Sequence, residues 1–433
     1  MKLGYFLLAL LLLPLVSQIH IPMASNDYTA ITYLPYDIRL PGKYKLEIVG
    51  NVTINGTSIR ILRTHDVLLD LNGKFLLGYG SGSGIMVFNS SNVTITNGVI
   101  ENFEMDINVT DSFNVSISNC IIGKAFYGIR LLYSSLTRIY SCTVRNCTHG
   151  LMIHYSSDIT VNDTEITKIK YYAAYIDGSS NTILCNCNLS TSKSSYGIFI
   201  LGYSNNLLLC NCCFTKSYKC LLAMGVQNIT AFACSISGTY GFVLHACSHV
   251  NLVFNNFTRC SEYALGLFNS DNITAFLNNF IDNGIGLYCD DVYMTQSSAL
   301  WYSPTPLNYM YQNRCYVNYL GNYWDTFYGH PDYNKDGVYD NPHIMHYPYT
   351  WIEDYYPLVK PKDCYLLRKT LEINYTVEFV EGWNTFSLAA IPESCEASAL
   401  FKDDSVVLYE WDPDTNSYTP AEDIVPGRGY WVF

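Results

Sequence analysis

The stretch NVTITNGVI at positions 92–100 decides the fold, because the chain repeats it with variations at a nearly constant spacing. The repetitions are NVSISNCII (114–122), LTRIYSCTV (136–144), DITVNDTEI (158–166), NTILCNCNL (181–189), NLLLCNCCF (206–214), NITAFACSI (228–236), HVNLVFNNF (249–257) and NITAFLNNF (272–280). Successive copies begin 21 to 25 residues apart, a period typical of solenoid proteins, in which each repeat stacks on the previous one.

Two positions of the repeat are apolar in all nine copies. The fourth position holds Ile95, Ile117, Ile139, Val161, Leu184, Leu209, Ala231, Leu252 and Ala275, and the ninth holds Ile100, Ile122, Val144, Ile166, Leu189, Phe214, Ile236, Phe257 and Phe280. Side chains alternate along a strand, so two positions an odd number of residues apart cannot both point inward from one straight strand. The chain must therefore bend between them, where Asn, Ser, Gly and Cys collect.

A second apolar strand follows in each repeat, often after an aromatic residue and a glycine, as in YGIRLLY (127–133), HGLMIHY (149–155) and YGIFILG (196–202). Short strands with turns near asparagine predict an all-β fold, a right-handed parallel β-helix with about 22 residues per rung. Adjacent rungs of such a fold lie about 4.8 Å apart. A leucine-rich repeat is the alternative, but its fixed Leu and Asn spacing is missing.

Composition excludes some functions and favours others. With 433 residues, 49% hydrophobic and 14% charged, the chain is long enough for two or three packed domains. Its net charge of -12, without clusters of Lys or Arg, argues against nucleic-acid binding. The start, MKLGYFLLALLLLPLVSQ, predicts an export signal, and no later segment is apolar enough to span a membrane. We therefore expect a secreted protein, extracellular or on the cell surface, with no membrane span in the mature chain; an uncleaved N-terminal anchor is the alternative.

The 16 cysteines fit an oxidising compartment. The seventh position of the repeat is cysteine in five copies, namely Cys120, Cys142, Cys187, Cys212 and Cys234. Stacked rungs bring like positions within the Cα separation of a disulfide. We expect a mixture of bridges and buried thiols, with the pairing open; catalytic or metal-binding cysteines are the alternative.

Thirteen Asn-x-Ser/Thr triplets are open to glycosylation in an exported protein. The candidates include Asn51, Asn92, Asn114, Asn228 and Asn272. A repeat rich in Asn and Thr also produces such triplets by chance, so the pattern is not specific.

Two segments carry a family resemblance. THDVLLDLNGKFLLG (64–78) resembles the opening rung of NosD-type periplasmic β-helix proteins, which are grouped with carbohydrate-binding and sugar-hydrolase repeats. GNYWDTFYGHPDYNKDGVYDNPHIMHYPYTWIEDYYPL (321–358) resembles the closing segment of that family. The resemblance spans about residues 40 to 360. It implies a β-helix whose end is closed by the second segment, with Tyr323 and Trp324 packed on the last rung or, alternatively, forming a sugar-stacking platform.

An acidic loop lies inside the closing segment. Asp332, Asn334 and Asp336 occupy positions 1, 3 and 5 of a calcium loop, with Gly337 at the tight turn. Val338 could offer its carbonyl and Asp340 its carboxylate, but His343 stands where an EF-hand needs glutamate. We expect a structural calcium that fixes the cap, its set completed by Asp325, Glu353 or Asp354. The alternative is a surface turn capped by its own side chains.

Copper is implied by the resemblance alone, since family members assist copper-site maturation in nitrous oxide reductase. His343, Met345 and His346 of HIMHY are ligand types that suit copper. Met224 and His245 form a second possible pair, because they occupy equivalent positions on adjacent rungs. A role in copper delivery is therefore one alternative function.

Polysaccharide cleavage is the other alternative, a polysaccharide lyase or hydrolase. Residues 112–157 and 181–248 contain no Asp or Glu, so much of the repeat lacks paired carboxylates. Asp290 and Asp291 are the remaining catalytic candidates. They lie six rungs from His149, too far for a joint site, and a solvated turn is the simpler interpretation.

The C-terminal piece reads as a small β module, with a DPDTNSY hairpin and a closing PGRGYWV. It resembles the GWN…GYWV modules of many secreted proteins. The expected segments are a signal peptide (1–24), an N-terminal cap (25–63), the β-helix (64–316), the closing cap (317–360), a linker (361–376) and the β module (377–433). Our interpretation is an exported, non-enzymatic protein whose partners are glycans or other copies of itself.

Overall fold

The computed structural model describes residues 28–50, 52–192, 194–284, 291–347 and 350–368, together with four short strands nearer the C terminus. The chain forms a right-handed parallel β-solenoid of about 11 turns with ~23 residues per turn. The predicted fold class is thereby confirmed. No α-helix occurs among the described residues.

Each rung contributes three strands, which build three parallel sheets. The chain divides into two compact units, residues 1–208 with 215–218, and residues 209–214 with 219–433. In the first unit, the first sheet contains β1 (Thr29–Ile31), β3 (Gly42–Leu46), β6 (His65–Asp70), the start of β9 (Ser91–Glu101), the start of β11 (Phe113–Gly123), β13 (Arg138–Tyr140), β16 (Ser157–Asn162), β19 (Ser180–Cys185) and β22 (Asn205–Cys210).

The other two sheets of the first unit follow the same order. The second sheet contains β4 (Val52–Ile54), β7 (Phe75–Gly78), the ends of β9 and β11, β14 (Thr143–Arg145), β17 (Glu165–Ile169) and β20 (Asn188–Thr191). The third contains β2 (Tyr36–Ile38), β5 (Ile59–Leu62), β8 (Ser83–Phe88), β10 (Met105–Thr110), β12 (Tyr127–Leu132), β15 (His149–His154), β18 (Tyr172–Asp177) and β21 (Tyr196–Leu201). Strands β22 and β23 (Cys213–Met224) have residues in both units.

The second unit repeats this arrangement and then closes. Its parallel strands are β24 (Gln227–Phe232), β25 (Ser235–His245), β26 (Ser248–Val253), β27 (Asn256–Thr258), β28 (Tyr263–Phe268), β29 (Asp271–Phe276), β30 (Asn279–Ile281), β31 (Val292–Thr295), β32 (Ala299–Leu300) and β35 (Tyr323–Trp324). The remaining elements are β33 (Leu307–Tyr311), β34 (Arg314–Asn318), β36 (His343–Tyr347), β37 (Thr350–Asp354), a 3₁₀ helix (Lys362–Cys364) and β38 (Leu366–Leu367).

Apolar columns fill the interior, as the repeat predicts. Ile117 pairs with Ile95 on one side and Ile139 on the other, and all three are almost completely buried. The ninth position forms a second column, in which Ile122 pairs with Ile100 and Val144. The two columns lie on different sheets, so the predicted bend between the fourth and ninth positions is confirmed.

At the bend between the two sheets, one residue adopts a left-handed backbone conformation. The sixth position of every copy has a positive φ, between 47° and 64°, including Asn97, Asn119, Ser141, Asp163 and Asn186. Asn and Asp adopt this conformation at lower cost than most residues, because their short polar side chains bond locally. The asparagine-rich composition of the repeat therefore follows from its corners.

A buried serine ladder supports another corner of the first unit. The Ser90 N–H donates to Ser112 Oγ at 3.2 Å, and the Ser112 N–H donates to Ser134 Oγ at 3.2 Å. The ladder continues through Ser156, Ser179 and Ser204 at 3.0 to 3.2 Å. Each bond satisfies a backbone N–H that the corner removes from the sheet pairing.

Asparagine plays the same part in the second unit. The Cys234 N–H donates to Asn255 Oδ1, the Asn255 N–H to Asn278 Oδ1 and the Asn278 N–H to Asn322 Oδ1, at 2.9, 2.9 and 3.1 Å. The Asn322 N–H then donates to Asp354 Oδ2 at 2.8 Å. Asn322 belongs to the GNYW run, so the closing segment continues this ladder and Asp354 ends it.

An aromatic column ends at the same place. Phe257 stacks on Phe280 with ring centroids 5.1 Å apart, and Phe280 stacks on Trp324 at 4.2 Å. Trp324 is 1% exposed, and its Nε1–H donates to Asp354 Oδ2 at 2.9 Å. The prediction that Trp324 packs on the last rung is confirmed, and such burial leaves no ring face for stacking on a sugar.

The seventh-position cysteines occupy the ladder position that Asn255 and Asn278 hold later in the chain. Cys120, Cys142 and Cys234 are free thiols and almost fully buried, and Cys142 Sγ donates weakly to the Tyr140 carbonyl at 3.4 Å. At another corner, burial raises the pKa of Cys147 and Cys260 to about 12. The raised pKa values of Cys147 and Cys260 are those of thiols that pack in the interior. Disulfide pairing of the other cysteines stays a prediction.

Regular strand pairing occurs within the segments expected to be the N-terminal cap and the linker, and the segment boundaries stay a prediction. Parallel pairing already begins at β1 and β3, inside the segment assigned to the N-terminal cap. Within the expected linker, β38 pairs with β33. Four strands nearer the C terminus, β39 (Asn384–Phe386), β40 (Leu408–Asp412), β41 (Ser417–Pro420) and β42 (Tyr430–Val432), form an antiparallel sheet. The small β module itself stays a prediction, and the predicted signal peptide lies outside the described residues.

Replacing Asn278 by alanine should lower the stability of the second unit. The change leaves the Asn255 N–H and the Leu252 carbonyl without the partners they have at 2.9 and 2.8 Å. Unpaired buried polar groups cost about 1–3 kcal/mol each, so we expect a loss of ~3 kcal/mol in urea unfolding followed by tryptophan fluorescence. Asn278→Cys should cost less, because cysteine occupies this position at Cys234. An unchanged midpoint for Asn278→Ala, or an equal loss for exposed Gln227→Ala, would contradict a role of the ladder.

Candidate functional site

The third sheet of the first unit carries a continuous face of aromatic and polar side chains. In β12, β15, β18 and β21, outward residues alternate with the buried column Ile129, Leu151, Ala174 and Ile198. Eleven of the side chains at these outward positions are Tyr127, Arg130, Leu132, His149, Met152, His154, Tyr172, Tyr175, Asp177, Tyr196 and Phe199, of which Met152 is only 7% exposed. We call these eleven side chains the aromatic face.

One column of the face is a stack of four rings. Tyr127 and His149 lie 5.3 Å apart between centroids, His149 and Tyr172 lie 5.4 Å apart, and Tyr172 and Tyr196 lie 5.5 Å apart. The first two pairs are within 24° of parallel. The register of the sheet imposes this stack, because equivalent residues of adjacent rungs are held one above the other.

The stack is broadened by further rings. Phe199 lies 5.5 Å from Tyr172 and 5.6 Å from Tyr175. At the edge of the face, the Phe126 and Tyr171 rings pack against His149, and both residues are about half exposed. The result is a ridge of apolar ring surface whose tyrosine hydroxyls provide hydrogen-bonding groups along its length.

Polar side chains lie beside the stack. His154 Nδ1 lies 3.8 Å from Asp177 Oδ2, and the His154 ring packs against Tyr175 at 5.2 Å. Arg130 is one rung away, and its Nη1 donates to Asn108 Oδ1 at 3.3 Å. Burial lowers the pKa of His154, an effect that Asp177 opposes and Arg130 reinforces. The net effect favours the neutral imidazole of His154.

His149 lies inside the ring stack and is half-buried. Its Nδ1 atom has no hydrogen-bond partner among the residues that the structure describes, and burial lowers the pKa of the imidazole. A neutral imidazole packed between tyrosines serves here as a flat ring, since the charged form would lose its hydration.

The second unit has its own aromatic surface on the third sheet. Tyr240 and Tyr263 lie 4.8 Å apart, and His245 stacks on Phe268 at 4.4 Å. Lys219 Nζ lies 5.7 Å from the centre of the Tyr240 ring. Sequence reasoning identified the aromatic–glycine pairs that begin these strands, but it did not examine the outward positions that follow. Within YGIRLL and HGLMIH, inward and outward side chains alternate. Aligning the two strands would have placed Arg130 and His154 on the same outward surface.

The predicted calcium loop is held by its own hydrogen bonds. Asp332 accepts the N–H groups of Asp336 and Gly337, both at 3.1 Å, and Asn334 Oδ1 accepts the Asp336 N–H at 3.2 Å. Asp336 Oδ1 accepts the Val338 N–H at 2.8 Å. The structure thus brings the residues at positions 1, 3 and 5 together.

Asp340 lies on the other side of the loop and accepts the Tyr333 N–H at 2.8 Å. Burial raises the pKa of Asp332, and the charges of Asp336 and Asp340 add to the rise. Across the described part of the chain, no three His, Cys, Asp or Glu side chains are grouped as metal ligands. A cation here would therefore need the amide oxygen of Asn334 or a backbone carbonyl as well as carboxylates.

One of the two histidines of the predicted copper set, His343, is packed among aromatic rings. The His343 ring lies 5.1 Å from Trp324 and 4.6 Å from Phe327, and burial lowers its pKa to about 4. The side chains of Met345 and His346 lie outside the described residues. Met224 and His245 are on adjacent rungs as predicted, since the Gly225 N–H donates to the His245 carbonyl at 2.8 Å, but His245 stacks on Phe268.

The catalytic candidates do not form a described carboxylate pair. Asp290 lies outside the described residues. Asp291 is buried, not solvated as expected, and its Oδ1 accepts a hydrogen bond from Asn283 at 3.0 Å. The interpretation of Asp291 as a solvated turn is therefore wrong. It supports a corner of the solenoid, where its carbonyl accepts two backbone N–H groups.

Two glycosylation candidates belong to an outer asparagine ladder. Asn92 Nδ2 donates to Asp66 and Asn114 Nδ2 donates to Asn92, both at 2.9 Å. Their amide groups are thus already engaged. Asn228 and Asn272 are exposed, and Asn51 lies outside the described residues. Glycosylation stays a prediction.

These features define an all-β protein built on a parallel β-solenoid, closed by a GNYW segment. Residues 51–227 and 217–329 match the sequence model of the family described as periplasmic copper-binding protein (NosD). These ranges cover more than half of the chain, so the chain belongs to that family and the predicted resemblance is confirmed. A search of curated proteins found no match.

Solved structures resemble the chain at low sequence identity. A mutant of the periplasmic alginate epimerase AlgG is 12% identical with a TM-score of 0.42, covering 60% of this chain and 86% of that chain. Bacteriophage CBA120 tailspike protein 3 is 12% identical with a TM-score of 0.38, covering 63% and 55%. The catalytic domain of a GH87 alpha-1,3-glucanase is 10% identical with a TM-score of 0.39, covering 65% and 70%. At these values the likeness does not bear on the activity of this chain.

No helix in the described parts of the chain is both long and apolar enough to cross a membrane.

The buried carboxyl group of Asp354 should make the stability of the cap depend on pH. Burial raises its pKa to about 7 from an ordinary 3.8, against the opposing effect of the N–H donors of Trp324, Asn322 and Tyr356. Because the folded protein holds this proton more tightly than the unfolded chain, the contribution is full below about pH 4. It is lost as pH rises to about 7.

Asp354→Asn, which mimics the protonated acid, removes this dependence. Between pH 5 and pH 8 the unmodified protein should therefore lose stability relative to Asp354→Asn, by up to ~3 kcal/mol. Urea unfolding at several pH values measures the difference. The exposed Asp271→Asn is the control, and parallel pH profiles for the Asp354 variant and the unmodified protein would refute the prediction.

Proposed function

We propose that this chain is an exported, non-enzymatic β-helix protein that binds glycans through its aromatic face. The observation that carries the proposal is the column of Tyr127, His149, Tyr172 and Tyr196, whose centroids are 5.3 to 5.5 Å apart. Sugar rings combine apolar C–H surfaces with hydroxyl groups. The face offers the complementary combination of ring surface and hydroxyl groups, repeated at the rung spacing.

The rigidity of the face favours binding. Each ring of the column is held by a parallel strand and by at least one neighbouring ring of the column, so little side-chain freedom remains to be lost when a ligand binds. The rung spacing of about 4.8 Å is comparable to the length of one sugar unit in an extended polysaccharide. An extended chain running along the column would therefore meet an equivalent environment at each rung.

The charge distribution supports binding without cleavage. Asp177 is the single carboxylate among the eleven side chains of the aromatic face. Hydrolysis of a glycosidic bond by the usual mechanism needs two carboxyl groups on opposite sides of the bond. A second copy of the chain is the alternative partner for this face, and sedimentation at increasing protein concentration distinguishes it from a glycan.

Export supports the same function. The family is described as periplasmic, and the N-terminal sequence predicts an export signal. We propose that the protein acts outside the cytoplasm, secreted or on the cell surface, where polysaccharides are accessible.

Tyr172→Ala should reduce glycan binding strongly. This residue contacts His149, Tyr175, Tyr196 and Phe199, so its loss breaks the column at its centre. We expect binding about tenfold weaker, as for central aromatic residues in other interfaces, measured on a glycan array and by titration calorimetry.

Tyr79→Ala is the matched control, because Tyr79 is 70% exposed and lies outside the aromatic face. Equal loss in both variants would argue against the face, and no glycan bound by the unmodified protein would refute the proposed function. Release of reducing sugar would refute its non-enzymatic part.

We also propose that the loop from Asp332 to Asp340 takes a structural calcium ion. The support is its oxygen-rich donor set and the closeness of three carboxylates. Burial is the main cause of the raised pKa of Asp332, and repulsion by Asp336 and Asp340 raises it further. Asp332, Asn334 and Asp336 would provide side-chain oxygens, with the carbonyl of Val338 and the carboxylate of Asp340 as further ligands. A bound cation would neutralise this charge and fix the cap.

Calcium should therefore raise the thermal midpoint of the cap. A ligand present at about a hundred times its dissociation constant adds about 2.7 kcal/mol. Thermal unfolding with calcium and with a chelator measures the effect, which Asp332→Ala should abolish and exposed Asp271→Asn should preserve. An unchanged midpoint with calcium would reject the proposal. Elemental analysis of the same sample tests the alternative, since stoichiometric copper would support a role in copper delivery.

A further inference from the structure

We infer that Arg130, with His154 and Asp177, forms a subsite for the carboxylate of a sugar, so that the ligand of the aromatic face is an acidic polysaccharide. The inference rests on the proposed function, and it adds the class of glycan. Its basis is the one cation among the eleven side chains of the face, together with the polar groups that surround it.

Arg130 has no carboxylate partner within 4 Å among the described residues. In the register of the third sheet it lies between Asn108 and Met152, both of which are neutral. Its Nη1 donates to Asn108 Oδ1 at 3.3 Å, so Asn108 orients the guanidinium without neutralising it. A guanidinium has five N–H donors in a planar fork, the geometry that matches a carboxylate.

The other cations nearby are already engaged or face elsewhere. Residues 112–157 contain no Asp or Glu, but they contain Lys124, Arg130, Arg138 and Arg145. Lys124 and Arg145 lie 2.7 and 3.7 Å from the carboxylate of Glu101. Arg138 is on the first sheet and donates to Asn114 at 2.8 Å. Arg130 therefore supplies the positive charge of the aromatic face.

The charge of the whole protein makes this local cation informative. With a net charge of -12, the chain repels polyanions on average. A cation without an acidic partner on an aromatic surface provides a local attraction, and complementary charges of this kind set specificity more than overall affinity. Lys170 adds a second positive charge at the edge of the face, where its Nζ lies 5.3 Å from the centre of the Tyr171 ring.

His154 and Asp177 would place the rest of the sugar. Asp177 lies one rung beyond His154 and 3.8 Å from its Nδ1, and its carboxylate can accept hydrogen bonds from sugar hydroxyls. The same charge repels a carboxylate at that position. The two ends of the cluster thus differ in sign, so the anionic group is directed to the Arg130 end and the hydroxyls to the Asp177 end.

The test compares acidic polysaccharides with their neutral counterparts. Binding of the full chain to polygalacturonate and hyaluronan is measured by affinity electrophoresis and calorimetry, beside the same polymers after carboxyl reduction. The unmodified protein should bind the acidic forms about tenfold more tightly, and the preference should fall with salt. Arg130→Gln should lose the preference, so that its affinities for the acidic and the neutral forms become equal.

Controls separate this inference from the proposed function. Arg138→Gln should keep the preference, because Arg138 lies on another sheet, and Arg130→Lys should keep part of it. Tyr172→Ala should weaken the binding of both the acidic and the neutral forms. Thermal unfolding confirms that each variant is folded. Equal binding of acidic and neutral forms by the unmodified protein would overturn the acidic subsite and leave the proposed function intact, whereas binding of neither form would overturn both.

Discussion

The stacking of one rung on the next governs this structure. Backbone hydrogen bonds between parallel strands fix the separation of adjacent rungs at about 4.8 Å, so each side chain has its counterpart directly above and below it. Columns of like residues follow from this geometry. Ile95, Ile117 and Ile139 form one column, the buried serines another and the outer asparagines a third. A binding surface arises in the same way, because an outward aromatic residue repeated in successive rungs becomes a continuous row of rings.

The corners show how a weak local preference becomes a strong pattern. The sixth residue of each copy adopts a left-handed conformation, which an asparagine side chain tolerates. The copies at Ala233, Phe254 and Leu277 adopt it without that advantage. There the columns on either side impose the conformation. Tertiary packing therefore overrides residue preference in these later rungs.

The sequence predicted the features that depend on periodicity. The inward columns, the bend between two sheets and the packing of Trp324 follow from spacing and from the closing segment. The aromatic face was missed, since locating it requires the register of the third strand and not only its apolar positions. Asp291 was misjudged because neighbouring aspartates suggest a turn in solvent, whereas its carboxylate is buried and bonded to Asn283. The convergence of Asn322 and Trp324 on Asp354 also depends on a contact that no spacing in the repeat reveals.

The seventh position accepts cysteine at Cys120, Cys142 and Cys234 and asparagine at Asn255 and Asn278, whereas Asp354 ends the ladder. Interchangeable side chains at an equivalent place mean that a rung can be duplicated or deleted without disturbing its neighbours, which contact only the adjacent repeats. Asp354 cannot be duplicated in this manner, because the N–H groups that its carboxylate accepts belong to the closing segment. Evolution can therefore lengthen or shorten this protein by duplicating or deleting rungs ahead of Asn322, while the closing segment stays unchanged.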